Sequence, residues 1–175
     1  PKIGIPRVLG MYEDYPFWHE LLTAAGFEVV LSDQSTMPLY RKGVGTIMAD
    51  NICFPAKLAH GHVLNLIEKG VNRVLYPMTV RTPKEHPEAT NSFNCPIVSG
   101  YSEVLTSAIN TALRFNVPLD YPVTAFDDQD LLHKASRQYL AERGGTGQGF
   151  ENAFDEDLKE TTAGKEKVRK EAEDI

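Results

Sequence analysis

At 175 residues the chain has the size of one domain, or of one domain with an appendage, and an apolar fraction of 42% supports a real core. A formal net charge of −6 argues against a nucleic-acid backbone or an anionic membrane as the main partner, because either calls for a basic face. No apolar run approaches the roughly 18 residues needed to span a bilayer, the amino end has no signal-peptide pattern, and two cysteines are too few for a secreted disulfide framework. The expectation is a soluble cytoplasmic protein whose cysteines are reduced thiols or metal ligands.

In chain order, Lys2 to Leu9 reads as a short buried strand that ends in a turn at Gly10. Tyr15 to Ala25 is a predicted helix capped by Asp14, with Phe17, Trp18, Leu21, Leu22 and Ala25 on its apolar face and Gly26 as its stop. Phe27 to Leu31 is a second strand, rich in β-branched residues. Strand, helix, strand is the βαβ unit, which implies a parallel sheet with a right-handed crossover and sites at the carboxyl ends of the strands. That rule promotes Pro6, Arg7, the Met11 to Tyr15 turn, Ser32 and Asp33; Arg7 reads equally well as a ligand or as a solvated charge.

Gln34 to Asp50 breaks the pattern with a turn at Ser35, Thr36 and Pro38, one short helix through Tyr40 and Lys42, and a brief strand over Thr46 to Ala49. Ala49 to Gly70 is the stretch around which the chain is organised. Pro55 suits the first position of a helix, so Cys53 falls at or beside the N-cap, where unpaired N–H groups and the helix dipole favour an anion. Ala56, Ala59, Val63, Leu66 and Ile67 form a stripe that packs on a sheet, and Gly70 closes the helix. Lys57 and His60 share another face. His62 points nearly opposite His60, so the two histidines cannot clamp one metal from a regular helix. The plain alternative makes Cys53 a small buried hydrophobe and the histidines hydrogen-bonded surface residues.

Arg73 to Tyr76 is a third strand, and Met78 to Asn94 a long loop of the kind that is functional or disordered in a compact domain. Cys95 to Val98 reads as the next strand and Ser102 to Phe115 as the helix after it, with Ser102 as cap. Pro118 and Pro122 restrict residues 117–126 to an edge strand or extended loop. Gln129 to Arg143 is helical. The glycine run over residues 144–149 follows a helix and lacks the GK[ST] of a phosphate loop, so it reads as a linker. Glu151 to Ile175, with nine acidic and five basic residues, reads as a charged helix held by its own i,i+4 pairs and adding little to the core. A chain that starts at Pro1 and enters a strand at once suggests a piece of a longer polypeptide.

The chemistry therefore rests on Cys53 and Cys95, each followed within two residues by proline. Two thiolates converging at a helix N-terminus suit an iron–sulfur cluster, although a separation of 42 residues matches no compact motif. Two cysteines fall short of four ligands, which a homodimer could complete. Zinc, or a thiol enzyme with Cys53 as nucleophile beside Lys57 or His60, are the alternatives.

The runs KIGIPRVLGMYEDYPFW, GFEVVLSD, DNICFPAKLAHGH, LYP and NCPIVSGYSEV resemble the uncharacterised domain of CoA-substrate-specific enzyme activase proteins, relatives of the 2-hydroxyacyl-CoA dehydratase activator and component systems of anaerobes. The resemblance is strong from Lys2 to about Asn110. It implies a flavodoxin-like or Rossmann-like α/β half-module whose Cys53 and Cys95 hold an iron–sulfur cluster; Lys57 and His60, on one helical face beside Cys53, join them as cofactor-binding candidates. It also implies an ATPase activator domain or subunit that drives low-potential electrons, and a second α/β half in the same polypeptide. Where the family's YP turn continues into a cysteine, this chain has Met78, and a thioether is a poor replacement for a thiolate. Either a ligand comes from the other half, or the cluster is altered or lost. A regulatory or interaction domain that keeps the fold without a cluster is the competing reading.

Overall fold

The computed structural model describes residues 1–84, 86, 88–145 and 149–156. Its centre is strand β1 (Lys2–Ile5), which pairs in parallel with β2 (Glu28–Leu31) on one side and with β3 (Arg73–Leu75) on the other. β3 pairs in parallel with β5 (Leu119–Asp120), giving the order β2-β1-β3-β5. Past Tyr76–Pro77 and Tyr121–Pro122 the last two strands continue as β4 (Met78–Arg81) and β6 (Val123–Ala125). The register is unchanged across the interruption: Val74 faces Leu119 before it and Met78 faces Val123 after it. Pro122 has no N–H to donate to the neighbouring strand, so one continuous parallel pair is divided by its prolines.

Helices cover the sheet because each connection between parallel strands must cross back over a face. α1 (Met11–Ala24) returns from β1 to β2 and buries Phe17, Trp18, Leu21 and Leu22. α3 (Phe54–Glu68) returns from β2 to β3 and lies on the face onto which Gly4 opens; a Cβ there would stand 3.1 Å from both Leu66 and Val71. Because β2 and β3 flank β1 on opposite sides, the crossovers reverse direction at β1. The carboxyl ends of β1 and β3 thus border the crevice where α/β sheets bind ligands. α2 (Met37–Gly43) crosses α3 so closely that a Cβ on Gly43 would lie 2.5 Å from the Gly61 nitrogen. On the other face Phe17 makes edge-to-face contacts with Trp18, Phe126 and Phe154.

Several expectations are corrected. Pro96 opens α4 (Pro96–Ile109) in the way Pro55 opens α3, so Cys95 is an N-cap and residues 96–98 are not a strand. α4 ends at Asn110 in the left-handed conformation, and α5 (Thr111–Phe115) follows as a separate short helix. Ser102, expected as a cap, is buried inside α4. The fourth strand of the sheet is β5. β4 occupies the start of the expected 78–94 loop, and a 3-10 turn at Val44–Thr46 replaces the expected strand at 46–49. Asp14 sits buried within the first turn of α1, whose N-cap is Gly10. α6 (Gln129–Ala141) forms as expected, capped by the Asp128 side chain. The helical residues 149–156 bury Phe150 and Phe154 in the main core, against the expectation that this segment adds little. The charged pairs from Glu166 onward lie outside the described residues.

A candidate thiol site at the carboxyl edge

Cys53 and Cys95 hold equivalent positions. Each is the N-cap of a helix with proline in its first turn, with φ/ψ of −60°/148° at Cys53 and −54°/140° at Cys95. Each carbonyl accepts the first turn's hydrogen bond, from the Lys57 N–H at 3.3 Å and the Ser99 N–H at 3.0 Å. Neither side chain caps its helix, and both thiols are exposed. The free N–H groups of two helix N-termini therefore accompany two thiols that no packing requirement holds in place.

α3 and α4 both run back toward the amino edge of the sheet, so they point the same way. Their tie is a hydrogen bond between His60 Nε2 and the Tyr101 hydroxyl at 2.9 Å. Cys53 precedes His60 by seven residues and Cys95 precedes Tyr101 by six. At about 1.5 Å of rise per residue the two cysteines stand at closely matched heights beyond the sheet. Tyr101 also lies near Cys53: burial chiefly, and then an electrostatic interaction with Cys53, push its phenol up from the ordinary value. Asn94 fixes Cys95 on the other side by donating its backbone N–H to the Val80 carbonyl and its side-chain amide to the Thr79 carbonyl, both at 2.9 Å. Those carbonyls lie one and two residues past Met78. Met78 is a half-buried residue opening β4, and its N–H bonds to the Pro122 carbonyl.

The two histidines are buried, not superficial, and they face opposite ways as the helical geometry requires. The Thr46 hydroxyl donates to the Gly43 carbonyl at 2.8 Å, so toward His60 Nδ1, also at 2.8 Å, it acts as acceptor. His60 therefore carries its proton on Nδ1, and its Nε2 accepts from the Tyr101 hydroxyl. On the opposite side, His62 Nδ1 lies 2.7 Å from Ser32 Oγ and Nε2 lies 2.9 Å from Ser35 Oγ. Ser32 Oγ accepts the Arg7 N–H, and the Arg7 Nε–H donates to the Ser32 carbonyl. Burial drives both histidines down to about 4, and Arg7 lowers His62 further while Asp33 opposes it. Both rings are neutral at pH 7; His62 holds the loop after β2 to the central helix, and His60 holds the Val44–Thr46 turn and α4 to it. Leu9, in the β1–α1 loop, adopts φ 52°, a left-handed backbone uncommon outside glycine and asparagine.

Of the residues singled out from sequence, Cys53 and Cys95 are brought to one edge. His60 lies behind Cys53, occupied at both ring nitrogens. Lys57 points away into a bond with the Asp50 carbonyl at 2.6 Å. A Cys53 nucleophile would thus find neither Lys57 nor His60 free to serve as its base. Tyr101, Thr46 and Ser35, which organise these histidines together with Ser32, escape sequence reasoning; Ser32 is promoted by its place at the end of a strand. Among the described residues no group of three or more His, Cys, Asp or Glu gathers around a common point. Iron–sulfur clusters are commonly held by four thiolates, so these residues fit half of such a site and not a complete one.

A family model, that of the CoA enzyme activase uncharacterised domain, matches residues 2–175. The chain belongs to the CoA enzyme activase uncharacterised domain family. No curated protein and no solved structure matches it. Among the described residues of this activase domain, no helix is long and apolar enough to cross a membrane.

Proposed function

We propose that this domain is an electron-transfer module of a CoA enzyme activase system, with Cys53 and Cys95 as two thiolate ligands of an iron–sulfur cluster completed from outside the domain. The observation that carries this reading is the pair of exposed, equivalently capped thiols on helices tied at His60 and Tyr101. Large apolar side chains surround the thiols in sequence and stand in solvent: Met48 is 73% exposed, Phe54 49% and Phe93 66%. Exposed apolar residues grouped at one edge mark a surface that a partner covers. The cluster, when bound, would supply one-electron chemistry. The chain's own part is to present two thiolates beside helix N-termini, and to keep neutral, hydrogen-bonded histidines beneath them. In this reading the partner is an ATPase activator domain or subunit, or the other half of a longer chain, and the system acts on a dehydratase of 2-hydroxyacyl-CoA type.

The test is anaerobic iron–sulfide reconstitution of the wild type, Cys53→Ser, Cys95→Ser and Met78→Cys, read by iron content and visible absorption. Bound iron should fall in both serine variants and rise in Met78→Cys. Equal iron in all four proteins would defeat the proposal. Serine variants at exposed positions keep the fold, which circular dichroism checks.

A further inference from the structure

The β5 edge of the sheet is the second feature that asks for a partner. Val74, Tyr76 and Met78 donate their N–H groups to the carbonyls of Pro118, Asp120 and Pro122. Successive residues of a strand turn their backbone groups to alternate sides, so residues 118, 120 and 122 face inward. Leu119, Tyr121 and Val123 therefore present N–H and C=O outward. Among the described residues nothing bonds to those outward groups. Both prolines fall on the inward set, where Pro122 leaves a gap in the sheet's own ladder. An edge protected against pairing would carry its proline on the outward set. Beside this edge runs a groove of about 520 Å³ between the strand and α6. Val123, 52% exposed, and Leu131, 38% exposed, supply its apolar lining, and Lys134, Gln138 and Glu142 its polar lining.

We infer that this edge pairs with the same edge of a second copy of the chain, antiparallel about a two-fold axis through Tyr121. The outward set is self-complementary about that residue: Tyr121 meets its own copy, and Leu119 meets Val123 of the second copy twice. The charges fit the same axis. α6 returns alongside the strand, from Leu131 near Val123 to Tyr139 and Arg143, which bond Asp120. Gln138 lies midway between Lys134 and Glu142, so the axis sets the exposed Lys134 of each copy toward the exposed Glu142 of the other, whose carboxylate also accepts from Gln138 at 3.0 Å and Arg143 at 3.1 Å of its own chain. The product is one sheet running through two copies, with the two α6 helices side by side.

Sedimentation equilibrium on the 175-residue chain tests this. The wild type should dimerise with rising concentration, and Lys134→Glu and Glu142→Lys should each weaken the dimer at least tenfold. An equimolar mixture of those two variants should restore it as a heterodimer, because each then offers the other an opposite charge. Val123→Asp, at an exposed position, provides a disruption that does not depend on the ion pair. A wild type that stays monomeric throughout, a dimer indifferent to all three substitutions, or a mixture that fails to reassociate would each overturn the inference.

Discussion

Lowering the pH should destabilise the fold in a window set by His60 and His62. Both rings are buried and neutral, each accepts a hydroxyl proton at one nitrogen and donates at the other, and burial holds both near 4 against an ordinary 6.5. In the unfolded chain these histidines take up protons as the pH drops through 6.5, whereas the folded protein resists until about 4. The unfolded state therefore binds more protons throughout this window, so stability is full above pH 6.5 and falls as the pH falls. The drop corresponds to roughly 3 kcal/mol per histidine at most, and water reaching the charged rings reduces this to about 2. Urea denaturation at pH 7.5 and pH 5.0 should accordingly differ by about 3 kcal/mol for the two rings together. His62→Gln, which keeps an acceptor and a donor but cannot titrate, should remove about half of that difference whatever its own stability at pH 7.5. Equal stability at the two pH values, or a slope unchanged in His62→Gln, would refute the reasoning.

Three further perturbations follow from the packing. Gly61→Ala would drive a methyl group into the Leu39 carbonyl where α2 crosses α3, and should cost about 3 kcal/mol in urea denaturation. Asp120→Asn should cost a similar amount, about 3 kcal/mol, because that carboxylate receives Arg73 Nε at 2.7 Å, Arg73 Nη2 at 2.8 Å and the Tyr139 hydroxyl at 3.1 Å. Burial pushes this carboxyl up, but hydrogen bonds and charge from Arg73 and Arg143 outweigh it and hold it below the usual carboxylate range. Phe154→Ala, at 4% exposure against Phe17, should cost about 3 kcal/mol; a change under about 0.5 kcal/mol would mean that residues 149–156 do not dock on the domain.

The first half of the fold is legible because local signals agree there. Apolar strands, an amphipathic helix and glycines at Gly26 and Gly70, both with positive φ, all point the same way. Pro55 announces α3 and places Cys53 at its cap. The same signal at Pro96 is masked by Ile97 and Val98, whose β-branched side chains suggest a strand although helix packing decides their conformation. β5 and β6 fall within residues 117–126, where Pro118 and Pro122 leave an edge strand or an extended loop open, and the edge strand is what forms. The burial of His60 and His62 could not be read from α3 alone. Their partners Thr46, Ser32, Ser35 and Tyr101 lie 14 to 41 residues away, and only the folded arrangement of the Val44–Thr46 turn, α4 and the end of β2 assembles them. Cys53 is legible as a cap and Cys95 is not, whereas the bonds of Lys57 to the Asp50 carbonyl and of His60 to Thr46 and Tyr101 could not be read from a shared helical face, which says nothing about what else covers it.

Whether Cys53 and Cys95 share one face is the question on which the account turns, and cross-linking answers it directly. A bis-maleimide with a spacer near the usual interhelical distance of about 8–10 Å should bridge the two thiols within one native chain. Mass spectrometry of the monomer should then show a single added reagent and no free thiol, with the Cys53 and Cys95 peptides joined after digestion. Two separate adducts on each chain, with no joined peptide, would place the cysteines too far apart for a common site and contradict the account.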